Sequence, residues 1–131
     1  MMLLRPEAVL RPTSMKGNEM IKLLIAVKRN PDLSVEQFRA HLSTRHVALI
    51  KDCPATARYL RRYVQSFTLP ASVVGAEGAF DGAAELYFDD VEGMNKFLSD
   101  PDYLATIRPD EMRFADVERC VFIVTEELRV F

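Results

Sequence analysis

The run "IKLLIAV", Ile21 to Val27, decides how the rest of this chain is read. A strand with one wet face alternates apolar and polar residues. One that is apolar at almost every position has both faces covered. The segment after it, "NPDLSVEQF", supplies a proline-containing turn and a capping box, in which Ser34 caps backbone N–H groups and Gln37 reaches back. This predicts a helix from Val35 to Asp52 that ends before Pro54. At about 100° per residue, Val35, Phe38, Leu42, His46, Leu49 and Ile50 fall on one apolar arc, with Glu36, Arg39, Ser43 and Lys51 off it. His46 is thus expected to face inward, and His41 sits at the margin of the arc.

Further along, "RRYVQSFTL" (61–69) reads as a second strand in which Tyr63, Gln65 and Phe67 share a face. "PASVVGAEGAFDG" (70–82) reads as a loop placed to cover a pocket, and "AAELYFDD" (83–90) as a third strand with Glu85 and Tyr87 opposite Ala84, Leu86 and Phe88. Asp89 with Glu92 forms a second capping-box pattern, opening a helix through Met94, Phe97 and Leu98. Asp100 and Pro101 suit the start of another helical segment, which Pro109 is expected to stop. "CVFIVTEE" (120–127) supplies a fourth strand. The order strand, helix, strand, strand, helix, strand predicts a ferredoxin-like α+β fold, a four-stranded antiparallel sheet with helices on one face. Two helices leave the other face bare, although the first and fourth strands are apolar on both sides. The expected remedy is a homodimer whose sheets pack face to face as an α+β barrel.

The totals agree with one domain. The chain has 131 residues, 49% hydrophobic and 27% charged, enough for a single core. Its 17 Lys and Arg against 19 Asp and Glu give a net charge of −2, which provides no global basic field for nucleic acid or anionic membrane. Cys53 and Cys120 lack companions at metal-ligand spacing and read as idle thiols in a reducing compartment. No apolar run approaches the roughly 20 residues of a membrane helix, and no secretory leader is recognisable, so a cytoplasmic protein is expected. Residues 1–19, "MMLLRPEAVLRPTSMKGNE", read as an irregular N-terminal extension, either an arm on a partner subunit or upstream sequence from an early start. The domain proper is expected to span 20–131.

Four segments carry a resemblance. "FRAHLSTRHVALI" (38–50), "RRYVQSF" (61–67), "FDGAAELYF" (80–88) and "ADVERCVFIVTEE" (115–127) are similar in order and spacing to the segments that mark the EthD-type members of the dimeric α/β-barrel superfamily, over about Met20 to Glu127. Leu42 and Ala48 stand where the family often has tryptophan and proline. The resemblance implies a pocket in each subunit between sheet and helices, used for small aromatic or polyketide-like molecules. The chemistries associated with such relatives include decarboxylation, dehydration, cyclisation, lactone isomerisation and cofactor-independent oxygenation, besides accessory roles in ether degradation. Fold alone does not select among them.

The residues narrow the choice. An imidazole in an apolar pocket takes a proton from a phenol or carbon acid and returns it, so His46 is a candidate general acid/base; the alternative is a core histidine satisfied by backbone. Glu85 is a candidate to orient His46 or act as acid, against the alternative of a salt bridge at the dimer seam with Arg58, Arg61 or Arg62. Tyr63, Gln65 and Tyr87 are candidates to position a substrate oxygen or to fill the barrel, and Phe38 and Leu42 to line the pocket. The chain has no glycine-rich phosphate loop, nucleophile elbow, His-Glu metal helix or nucleotide fingerprint, so neither cofactor nor metal is expected. Two classes stand. One is a cofactor-free enzyme acting on an aromatic, phenolic or keto-acid substrate, with a cofactor-independent monooxygenase as its variant. The other is a non-catalytic ligand-binding or accessory protein.

Overall fold

The computed structural model describes residues 20–71 and 78–131. Strand β1 (Ile21–Val27) leads into α1 (Val35–Ala40), which continues through a π-helical stretch (His41–His46) into α2 (Val47–Asp52). Helix α3 (Pro54–Tyr59) and strands β2 (Leu60–Phe67) and β3 (Gly82–Phe88) follow, then α4 (Val91–Leu98). A second π-helical stretch (Tyr103–Ile107) runs into α5 (Arg108–Phe114), and a 3₁₀ turn (Val117–Arg119) precedes β4 (Val121–Glu126). The sheet order is β2-β3-β1-β4, and every pairing is antiparallel. This is the expected ferredoxin-like arrangement. The N-terminal extension and the middle of the 70–82 loop lie outside the described residues. None of the described helices is long and apolar enough to cross a membrane.

Register sorts the side chains. Leu23 and Ile25 of β1 stand beside Leu86 and Ala84 of β3, and Tyr63 and Gln65 of β2 stand on the other side of those same two residues. Together with Ile21, Val27 and Phe88 these form the helix-facing side of the sheet, against which Phe38, Leu42, Ile50, Phe97, Ile107 and Phe114 are buried. The opposite face carries Leu24, Ala26, Val121 and Ile123 at one end and charge at the other. There Lys22 donates to Glu85 at 2.8 Å and to Glu127 at 2.9 Å, and the Tyr87 hydroxyl donates to Glu127 at 3.1 Å. The two carboxylates push the Lys22 ammonium well above its ordinary range.

The first helix keeps the predicted bounds and the Ser34–Gln37 capping box. Its buried residues, Phe38, Leu42, His46 and Ile50, recur every fourth position. In a pure α-helix such a series drifts about 40° around the axis per step. The wider π turns between His41 and His46 offset that drift and hold all four against the sheet.

Three boundaries depart from the expectation. Pro54 ends α2 but also opens α3, at a first-turn position where its missing N–H costs nothing. The cap of α4 is Asp90, whose side chain accepts from Gly93 N at 2.7 Å, while Asp89 pairs with Arg61. Pro109 does not stop the last helix. It sits in the first turn of α5, and the π-helical stretch ahead of it provides the bend that lets the chain continue to Phe114.

Asp81 and Gly82 form a junction beneath the first helix. The Asp81 carboxylate accepts from Arg29 N at 2.8 Å, and a Cβ on Gly82 would lie 2.7 Å from the Ser66 carbonyl oxygen. We expect Gly82→Ala to destabilise the fold by about 1–3 kcal/mol through this backbone clash, read as a lower denaturation midpoint with an unchanged m-value. Unaltered stability would contradict the register.

Candidate active site

Asp110 is fully buried at the start of α5, and its two oxygens face the first helix. Oδ2 accepts from Nδ1 of His46 at 2.9 Å and Oδ1 from Nε2 of His41 at 2.8 Å. Arg45 and Arg113 stand 3.5 Å from Oδ1. A carboxylate only accepts, so it fixes the proton of His46 on Nδ1 and leaves Nε2 as a lone-pair acceptor. Burial pushes the Asp110 carboxyl up, but the hydrogen bonds from His41 and His46 outweigh it and hold the group below the ordinary aspartate range, as an anion. Burial likewise pulls the His46 imidazole below its usual range, more strongly than Asp110 holds it up. His46 is therefore a neutral, oriented imidazole, 4% exposed, with the Phe114 ring packed edge-on at 4.7 Å.

His46 lines a cavity of about 280 Å³ between the sheet and the helices. Its floor is Leu23, Ile25, Ala84 and Leu86, and its roof includes Leu42, Ile50, Ile107 and Phe114. Besides His46, the polar and charged groups that reach it include Tyr63, Tyr103, Arg108 and Glu111. Gln65 donates to the Leu42 carbonyl and to the Tyr63 hydroxyl oxygen, both at 2.9 Å, which leaves the Tyr63 proton free to be donated into the cavity. Burial pushes the Tyr63 phenol up to about 12, so it stays protonated. The Tyr103 hydroxyl donates to Glu111 Oε2 at 2.5 Å, and Arg108 Nε lies 3.3 Å from Oε1. Burial raises the Glu111 carboxyl above the ordinary range against the pull of both partners.

The residues singled out in the sequence divide between two faces. His46, Tyr63 and Leu42 meet at the cavity, Gln65 braces its wall, and Phe38 packs behind it against Phe67 and Phe114. Glu85 and Tyr87 lie on the far side of the sheet, so neither reaches His46. Within the chain, Glu85 pairs with Lys22. Asp110 takes the orienting position expected of Glu85, because α5 runs on past Pro109. Asp110, Glu111, Tyr103 and Arg108 are polar residues at or beside the cavity that the sequence pattern did not single out as site candidates. The available signal is "RPDEM" (108–112), a proline followed by two acids, which suits a first helical turn better than a helix end.

Fold and site together define a class: a ferredoxin-like α+β domain with an oriented histidine at the wall of an apolar chamber. The sequence model of the EthD domain matches residues 30–118, and the chain belongs to that family. It is similar to dehydratase aurZ of Gibberella zeae, 23% identical over 116 residues, covering 80% of this chain and 75% of the other. Among solved structures it is similar to an EthD family protein of Bacillus halodurans (25% identity, TM-score 0.64, 83% of this chain and 99% of that one). It is also similar to a Bacteroides fragilis protein described as dimeric with a ferredoxin-like fold (16% identity, TM-score 0.61, 86% and 98%).

The buried pair makes stability depend on pH. The folded state resists protonating His46 and the unfolded chain does not, so stability falls as pH drops from about 6.5 towards the lower folded value. Asp110, depressed in the folded state, adds a further loss below about pH 4. Denaturant midpoints between pH 7 and pH 5 are expected to fall for the parent and to fall less for His46→Gln. Equal slopes would contradict the assignment.

Proposed function

We propose that this protein is a cofactor-free enzyme that uses His46 as a general base on a small aromatic or polyketide-like carbonyl compound, and that the reaction is loss of water. The observation that carries this reading is the His46–Asp110 hydrogen bond at the wall of an apolar cavity that His46 lines, which puts the imidazole proton on Nδ1 and leaves Nε2 as the acceptor. A carbon acid beside a carbonyl needs a base of this kind, and the charge that develops on the carbonyl oxygen needs a donor such as the Tyr63 hydroxyl. The cavity's largely aliphatic walls favour an uncharged, ring-containing ligand, and its volume favours a small one. Likeness to a dehydratase supports loss of water over decarboxylation, cyclisation or isomerisation.

Thermal-shift screening of aromatic β-hydroxy ketones and keto acids would find ligands for rate measurements. The parent's kcat/KM is expected to rise with pH along one limb below about 6.5 as His46 loses its proton. His46→Ala should abolish that limb and lower kcat/KM by about 10²- to 10⁴-fold with the fold intact. A variant as active as the parent would contradict an acid/base role and leave a ligand-binding protein.

The working unit we infer is a homodimer. Val121, Phe122, Ile123 and Val124 of β4 are between 43% and 50% exposed, and Val121 and Ile123 continue the apolar end of the open sheet face. A second copy would cover that strip, and the Bacteroides fragilis neighbour is described as dimeric. Sedimentation is expected to give two chains for the parent and one for Ile123→Glu. A monomeric parent would contradict the inference.

A further inference from the structure

Asp110 and Glu111 are consecutive acids on α5 with different surroundings. Asp110 turns to the two imidazoles and two guanidinium groups, which keep it charged. Glu111 turns into the cavity that His46 lines, with a phenol on one oxygen and Arg108 Nε near the other. We propose that Glu111 is a second catalytic residue, the acid that protonates the departing hydroxyl while His46 removes the carbon-bound proton. The inference rests on the dehydration reading above.

The step balances. His46 Nε2 takes the proton from the carbon next to the carbonyl, and the C–H electrons pass into the enolate. As they return to form the C=C bond, the C–O bond breaks with its electron pair on oxygen, and the Glu111 carboxyl proton completes a water molecule. Nothing is oxidised or reduced. Glu111 is left as carboxylate and His46 as imidazolium, and exchange with solvent restores both. Two carboxyls held apart in this way allow one to remain an anion while the other carries a proton. The groups that share the cavity with Glu111 or act on its charge are Tyr103 and Arg108 from its own helical arm, Asp110 beside it, His46 of the first helix, Tyr63 from β2 and Cys120 ahead of β4. The Tyr103 hydroxyl favours the ionised form of Glu111, so its removal makes the carboxyl a weaker acid.

The test uses the full chain with 4-hydroxy-4-phenylbutan-2-one in D₂O. Deuterium entering beside the carbonyl reports the His46 step, and the absorbance of the conjugated enone reports elimination. E111Q should keep exchange within about twofold of the parent and lose elimination by at least about a hundredfold, and H46Q should lose both. If E111Q eliminates at the parental rate while H46Q is inactive, the Glu111 assignment fails and the His46 reading stands. If H46Q exchanges as fast as the parent, the His46 reading itself fails. A second measurement needs no turnover: the infrared carboxyl stretch lost in E111Q should titrate above about pH 4.5 in the parent and higher still in Y103F. A band that titrates at or below the ordinary glutamate value, or that Y103F does not move, overturns the proposal.

Discussion

The buried carboxylate of Asp110 is the constraint on which the rest of the structure depends. A charge removed from water without partners would cost several kcal/mol. Here two imidazole N–H groups meet its two oxygens, and two arginines stand just beyond. These bonds cross between α5 and the π-helical stretch of the first helix, so they fix the distance and rotation of one helical arm against the other. Both arms carry π turns, one holding the histidines and the other leading into Asp110. The widened turns place the histidines and the acid opposite one another where regular α-helices would carry them out of phase.

The chemistry follows from the same constraint. An anion that accepts from Nδ1 decides which nitrogen of His46 is free, and apolar walls decide that the ring is neutral. The sheet contributes shape and two polar side chains: Tyr63 stands in register with Leu86, and Gln65 ties the β2 edge to the Leu42 carbonyl and holds the Tyr63 hydroxyl oxygen. The chamber is assembled from segments far apart in the chain, with an imidazole from residue 46 and a carboxyl from residue 111.

Much of the fold is legible in the amino-acid sequence. The apolar run of Ile21–Val27 and the strand-helix order carry the architecture, the Ser34–Gln37 pair marks the first helix start, and residue spacing turns His46 inward. The site is only half legible. Proline is read correctly once and wrongly once, because its effect depends on where in a turn it falls: the first helix does end before Pro54, which then opens α3, whereas Pro109 sits in the first turn of α5, where it is tolerated and stops nothing. Ending the last helix at Pro109 hides Asp110 and Glu111. Alternation already puts Glu85 on the other face from Ala84 and Leu86, but deciding which face holds the pocket requires the positions of the helices. Apolar runs in the first and fourth strands suggest an open face that is apolar throughout, whereas Lys22, Glu85 and Glu127 make one end of it charged.

The most direct measurement is the ¹⁵N spectrum of the His46 imidazole near pH 7, assigned by comparison with His46→Gln. A pyrrole-like Nδ1 bearing the proton and a pyridine-like Nε2 without one are the predicted signals. Either a proton on Nε2 or an imidazolium at that pH would contradict the central claim, since a ring in those forms has no free lone pair to turn towards the cavity.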